Sequence, residues 1–176
     1  MPMSDEERFR FDLAGYLVRP GILDQQDIDA VRDQIDRIKH DPESLPPEHR
    51  SVPGGASSVL IDHPKVIEVL HEIIGPDIRL ESTHCVWRRK GEEHGPLHGG
   101  GPQQADPIFG YRVLNGRIHA GMVRVVFELT DIGKDDGGTV FLAGSHKANF
   151  PMHPDHVSLE DGERSEFLHS YECPAG

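Results

Sequence analysis

Sulfur, net positive charge and long apolar runs are all scarce in this 176-residue sequence, and each shortage excludes a class of protein. Its two cysteines, Cys85 and Cys173, form no Cys-x-x-Cys pair, so a zinc ribbon cannot be built, and two cysteines do not make a disulfide framework. A reducing, cytoplasmic setting is the expectation. Lys and Arg number 18 against 30 Asp and Glu, giving a net charge of −12. Phosphate contacts need clustered cations, so neither a nucleic acid nor an anionic membrane is expected as a partner. No apolar run approaches the ~20 residues of a membrane span. Residues 1–11 are acidic and polar with no apolar stretch of the signal-peptide kind. What remains is a folded chain, 36% hydrophobic and 27% charged, long enough for a single domain with its own core.

Histidine is the unusual component, with 12 residues. The pattern around them divides into a helical first part and a strand-like second part. Residues 9–18 read as a short helix followed by a short strand. Asp24 then takes an N-cap position with Asp27 three residues on. Ile28, Val31, Ile35 and Ile38 follow at helical spacing, which predicts an amphipathic helix. Residues 41–56, rich in Pro, Ser and Gly, predict a loop. Asp62 reads as a second N-cap before Pro64, with Val66, Val69, Leu70 and Ile73 on one helical face and Gly75-Pro76 as the stop. Beyond this point residues 78–89 alternate as one or two strands, with Thr83, Cys85 and Trp87 on one face. Residues 118–129 carry the strongest strand signal. Asp135-Asp136-Gly137-Gly138 is a turn, 139–142 a short strand, 143–154 a loop and 165–172 a further strand. Helices ahead of strands predict an α+β fold with the helices on one side of a sandwich or barrel.

Two stretches could carry chemistry. In Glu93-His94-Gly95-Pro96-Leu97-His98-Gly99-Gly100-Gly101 the histidines stand four apart, the spacing of a zinc-protease helix. Gly95 and Pro96 between them exclude a helix. The alternatives are a glycine-rich surface loop, or a His on a loop whose glycines let the backbone pass close to a metal or cosubstrate. The second stretch runs from Leu129 to Lys147 and ends Gly144-Ser145-His146-Lys147. His146 is a ligand or a turn residue, and its neighbours favour a turn.

Taken with the opening FDLAGYLVRPGILDQQDIDAV, these stretches resemble the phytanoyl-CoA dioxygenase family. The most specific element is L-x-D-I-x-x-D-D-G-G followed, five residues later, by Gly-Ser-His-Lys; the separation of His98 from His146 is also similar to the family's. The resemblance implies a fold that is α+β but mainly β: a double-stranded β-helix (a cupin-like jelly roll) with flanking N-terminal helices. It implies one domain over 1–176, helical over about 1–76 and β-helical over about 77–176, incomplete at its C-terminus for want of the last strands. It implies Fe(II) and 2-oxoglutarate as cofactors, O2 and a small organic molecule as substrates, and a two-His-one-carboxylate metal site. Oxidation of 2-oxoglutarate to succinate and CO2 would be coupled to hydroxylation of the substrate.

Carried over by position, His98 matches the first iron ligand and is the catalytic metal residue. Its imidazole is then required to face the barrel mouth. The family's carboxylate falls at Gly100, which has no ligand atom; Glu93 and Asp106 are the nearest carboxylates along the chain. Tyr111 and Asn115, and Trp87 with Arg88, occupy places that line the cosubstrate pocket in the resemblance, although packing alone accounts for each equally well. The distal His and the 2-oxoglutarate Arg are expected beyond Gly176, since His153, His156 and His169 come too early. The 176 residues alone are then expected to be inactive. Gly100 keeps two alternatives open: a halogenase-like variant, with halide where the carboxylate would be, and a non-catalytic jelly-roll binding protein. A cupin using several histidines is a third. Substrate identity and oligomeric state are not readable from the sequence.

Overall fold

The computed structural model describes residues 1–89, 92, 97–98, 110–134, 136–150 and 168–176. Three α-helices come first: α1 (Asp5–Ala14), α2 (Gln25–His40) and α3 (Pro64–Ile73). Four short strands follow, β1 (Tyr111–Leu114), β2 (Arg117–Ala120), β3 (Val140–Leu142) and β4 (Leu168–Ser170). They form two antiparallel pairs, β1 with β2 and β3 with β4. Helix-then-strand order is thus as the sequence predicts, yet helix outweighs strand among the described residues.

The helix ends follow local chemistry. α1 starts at Ser4, whose hydroxyl accepts the Glu7 N–H at 3.2 Å while the Glu7 carboxylate accepts the Ser4 N–H at 2.8 Å. This Ser-x-x-Glu capping box starts the helix at Asp5, four residues ahead of the segment the apolar pattern picked out. No strand follows α1 over residues 15–18. Arg19 clasps the same Glu7 through both guanidinium edges, at 2.8 and 2.9 Å, and holds its carboxyl down at about 2. Asp24 caps α2 as expected, accepting the Asp27 N–H at 2.9 Å. The α3 cap is displaced by one residue: His63, not Asp62, is the N-cap, and Pro64 takes the first helical position, where its missing N–H costs nothing. Gly75 follows the α3 C-cap with φ 131°, a conformation suited to glycine.

Helix α2 buries Ile28 and Val31 but also Gln34, which is only 4% exposed. The loop 41–56 wraps this amide. Gln34 Nε2 donates to the carbonyls of His49 (2.9 Å) and Gly54 (2.8 Å), and Oε1 accepts the Ser57 N–H at 2.8 Å. One side chain thereby bonds three backbone groups; Gly54 and Ser57 also bond each other, the Ser57 N–H (3.1 Å) and hydroxyl (2.7 Å) both donating to the Gly54 carbonyl. The loop contains one-turn 3-10 segments at Pro42–Ser44 and Pro47–His49, and a longer one at Gly55–Leu60.

The main core lies between the helices and the first hairpin. Met3, Phe11, Ile73 and Tyr111 are buried together, with Leu17, Val69, Ile74, Ile118, Ala120 and Val123 packed around them. The register Tyr111↔Ala120 and Val113↔Ile118 turns one face of the β1–β2 hairpin towards this core. The connecting Asn115-Gly116 pair has φ of 52° and 73°, the geometry of a two-residue hairpin turn.

Two predicted strands differ in the structure. Residues 78–89 join no ladder among the described residues, although Cys85 and Trp87 are half-buried while His84, Val86 and Arg88 are exposed, the period-two pattern of a strand. The 118–129 stretch is paired only through Ala120. Gly121 donates to Gly110 at 3.2 Å and closes the ladder, leaving Met122 and Val126 about half exposed. A strand is defined by its neighbour, and beyond the Gly176 N–H donated to the Glu128 carbonyl at 2.8 Å no described segment forms a ladder with these residues. The return strand is Val140–Leu142, one residue shorter than expected, and within 165–172 the paired residues are Leu168–Ser170.

The buried amide gives a direct test. Gln34→Leu keeps the volume but removes three hydrogen bonds and leaves the His49 carbonyl without its donor, and should destabilise the protein by about 1–3 kcal/mol in chemical denaturation. A loss below about 0.5 kcal/mol, the usual scatter for surface changes, would remove Gln34 as the loop's organiser.

Candidate functional site

The densest set of specific contacts joins the end of α1, strand β1 and the Gly-Ser-His-Lys turn. Gly15 ends α1 in the left-handed region (φ 83°), its N–H bonded to Phe11 at 2.8 Å. Gly144, also left-handed (φ 81°), donates its N–H to the Ala14 carbonyl at 2.8 Å and starts the single turn Ser145–Lys147. That turn lays His146 over the helix end. His146 Nε2 lies 3.1 Å from the Asp12 carbonyl oxygen, and a carbonyl only accepts, so this nitrogen carries the proton. The imidazole meets the Tyr111 ring edge-on at 4.6 Å. A side chain at position 15 would place its Cβ 2.3 Å from His146 Nδ1, so Gly15 is required by space as well as by φ.

Asp12 is the hub. Its Oδ1 accepts the Tyr111 hydroxyl at 2.6 Å, and its Oδ2 lies 3.6 Å from Lys147 Nζ. The Tyr111 hydrogen bond, with Lys147 nearby, lowers the Asp12 carboxyl below its usual range. Burial and the same carboxylate raise the Tyr111 phenol. Burial, then the Lys147 charge, lower His146. A neighbouring aromatic stack extends the joint: Tyr16 lies flat on Phe141 of β3 at 4.8 Å, and Phe141 on Tyr171 at 5.8 Å. The Tyr171 hydroxyl donates to Glu128, and burial together with that carboxylate pushes its phenol up to about 12. A cleft of about 360 Å³ opens beside the hub, bordered by Asp12, Tyr111, Arg112, Val113 and Lys147.

The residues singled out from sequence are distributed as follows. Tyr111 faces the helices and its hydroxyl is engaged by Asp12. Asn115 occupies the first position of the hairpin turn, where its positive φ is a conformational role. Trp87 is half-buried beside α2, with Lys39 Nζ 5.1 Å from the ring centroid and its indole N–H buried with no acceptor among the described residues. Arg88 is exposed. His98 is exposed. Glu93, His94, Gly99, Gly100, Gly101 and Asp106 lie outside the described residues, as do His153 and His156. His169 is exposed on β4. Among the described residues no three His, Cys, Asp or Glu side chains are grouped to hold a metal ion. They therefore supply His98 alone toward an iron site, and one imidazole does not fit Fe(II) by itself. Asp12 was not anticipated. No local signal marks it, because its partners Tyr111 and Lys147 lie 99 and more residues away.

The family model for Phytanoyl-CoA dioxygenase (PhyH) matches residues 11–172, and the chain belongs to this family. The family uses Fe(II) and 2-oxoglutarate. Among solved structures, iron-bound HygX from Streptomyces hygroscopicus is similar over 99% of this chain and 75% of its own, with a TM-score of 0.67 at 19% identity. HygX with nickel and 2-oxoglutarate bound gives 0.66 at 20% identity over the same shares. Apo HygX gives 0.62 at 18% identity over 100% of this chain and 75% of its own. At these identities the likeness is one of fold. No curated protein gives a significant match.

The joint makes two predictions. Gly15→Ala combines a left-handed backbone with a clash on His146 and should cost about 2–4 kcal/mol, against about 1–2 for the backbone alone. A loss confined to the smaller figure, measured by denaturant titration, would show that His146 moves aside freely. The second concerns pH. Burial lowers folded His146 below its ordinary 6.5, so between the two values the unfolded chain binds more protons. Stability is therefore full above about 6.5 and declines as pH falls through that window; His146→Gln should flatten the decline, and an unchanged profile would clear His146 of it.

Proposed function

We propose that this protein is an Fe(II)- and 2-oxoglutarate-dependent dioxygenase that hydroxylates a small organic substrate on a double-stranded β-helix, with His98 as a metal ligand. Family membership across residues 11–172 is the observation that carries the reading. The fold likeness to HygX, a protein solved with iron and with nickel plus 2-oxoglutarate, supports it. The described residues give His98 a position open to solvent, and its partners at the metal are not among them. No reaction step is therefore assigned to a particular side chain. The contribution of the described residues is architectural. The Asp12–Tyr111–His146 joint fixes the first hairpin against the helices, and Trp87, Tyr111 and Asn115 are proposed to border the cosubstrate region from that frame.

A second reading has its own support. Gly100 at the carboxylate position favours a non-catalytic binding protein that keeps the fold. A halogenase-like variant shares this feature.

One experiment separates oxygenase from binding protein. Anaerobic addition of Fe(II) and 2-oxoglutarate to the complete polypeptide should give a visible metal-to-ligand charge-transfer band, and admission of O2 should give succinate. His98→Ala should remove both, since loss of one of few protein ligands abolishes tight binding. Absence of band and succinate in the unmutated protein would leave the binding-protein reading.

A further inference from the structure

The β1–β2 hairpin has two faces of opposite character. One packs on the helices through Tyr111, Ile118 and Ala120, with Val113 half exposed at its edge. The register Arg112↔His119 and Leu114↔Arg117 places two arginines and a histidine on the other. All three are exposed. Residues 110–127 contain three arginines, one histidine and no carboxylate, in a chain with 30 carboxylates. Elsewhere Arg8, Arg10, Arg19, Arg37, Arg50 and Arg79 each have an acidic partner within 4 Å, whereas Arg32, Arg88, Arg89 and Arg124 have none among the described residues. Among the described residues Arg112, Arg117 and His119 likewise have none; what distinguishes the hairpin is that its cations share one face.

This arrangement is unfavourable for the hairpin alone. Side chains directly opposite on a strand pair lie about 4.5–5.5 Å apart at Cβ and diagonal ones about 7–8 Å, distances at which like charges repel. Arg112 and Arg117 are such a diagonal pair, with His119 opposite the first and two residues from the second. Among the described residues no carboxylate lies within 4 Å of any of the three, although Asp12 shares a cleft with Arg112. A bound anion would offset the repulsion, and the planar fork of two guanidinium groups matches the oxygens of a phosphate or a carboxylate. Arg112 also borders the cleft beside Asp12 and Lys147, so the face adjoins a space of small-molecule size.

We infer that the outer face of this hairpin binds the anionic group of a small molecule, a phosphate or a carboxylate, through Arg112, Arg117 and His119. Calling that molecule the substrate rests on the oxygenase reading; the binding itself does not.

The test uses metal-free protein at low ionic strength, with inorganic phosphate and tricarballylate as separate probes. NMR should show saturable shifts of the Arg112 and Arg117 side-chain N–H signals and of the His119 ring, and the tighter probe identifies the anion class. Arg112→Gln with Arg117→Gln should weaken binding at least tenfold. His119→Gln, on its own, should weaken it about threefold, and the double lysine variant should retain part of the affinity. Lys134→Gln, an exposed cation outside the hairpin, should change nothing. Shifts that do not saturate, or equal affinity in the double glutamine variant, would overturn the inference. Loss of anion binding with the iron charge-transfer band intact would sink this inference alone. Anion binding without that band would leave the site standing and end its link to oxygenation.

Discussion

The Asp12–Tyr111 hydrogen bond is where the two halves of this chain become one structure. It spans 99 residues of sequence and joins the last turn of α1 to the first paired strand. A charge-assisted bond of 2.6 Å between partly buried groups is stronger than a neutral one, and the opposite shifts of carboxyl and phenol express the same coupling from each side. The surrounding contacts require it. The His146 ring stands on Tyr111, Lys147 faces Asp12, and Gly144 reaches the carbonyl at the helix end. A helix C-terminus leaves carbonyls without partners, and here the Gly-Ser-His-Lys turn supplies two donors to α1: Gly144 N–H to Ala14 and the His146 ring to Asp12.

This gives a structural account of a motif whose histidine invites a catalytic one. In FDLAGY and GSHK the glycines are those whose Cβ atoms would collide or whose φ is left-handed, and Asp12, His146 and Lys147 bond to each other's elements. The two segments are a lock and its keeper. Whatever site the fold carries, the helices that flank it are registered through this joint. A similar tie operates at the other end, where Gly176 accepts the Ile22 and Leu23 N–H groups and donates to Glu128.

How much of this was legible in the sequence depends on the range of the interaction that decides each element. Helices α2 and α3 were legible because periodicity and caps are local; even so, the Ser4-x-x-Glu7 box and the Asn115-Gly116 turn are equally local signals that the apolar pattern overshadowed. The α3 cap slipped from Asp62 to His63 because Pro64 fixes its own position in the first turn. Gln34 was not legible: a polar residue between Val31 and Ile35 looks like the helix's wet side until the loop folds over it. Strand pairing was the least legible, because alternation over 78–89 and 118–129 specifies a strand's faces and not its neighbour. The candidate site divides the same way. His98, Trp87, Tyr111 and Asn115 are candidates that pattern and resemblance put forward, whereas Asp12 is significant only once α1 is set against β1.

The hairpin shows how a constraint on one face leaves the other free to vary. Tyr111 must be buried, since its hydroxyl is spoken for by Asp12 and its ring by Phe11 and His146. Alternation then forces Arg112 outward, and the register sets His119 opposite it. The outward residues are under no packing demand, and stability alone would favour opposite charges across the strands. An acidic chain has carboxylates in surplus, yet none among the described residues lies within 4 Å of these cations. The lock thus determines where the face points, and the charges on it are left to be explained by what approaches from solvent.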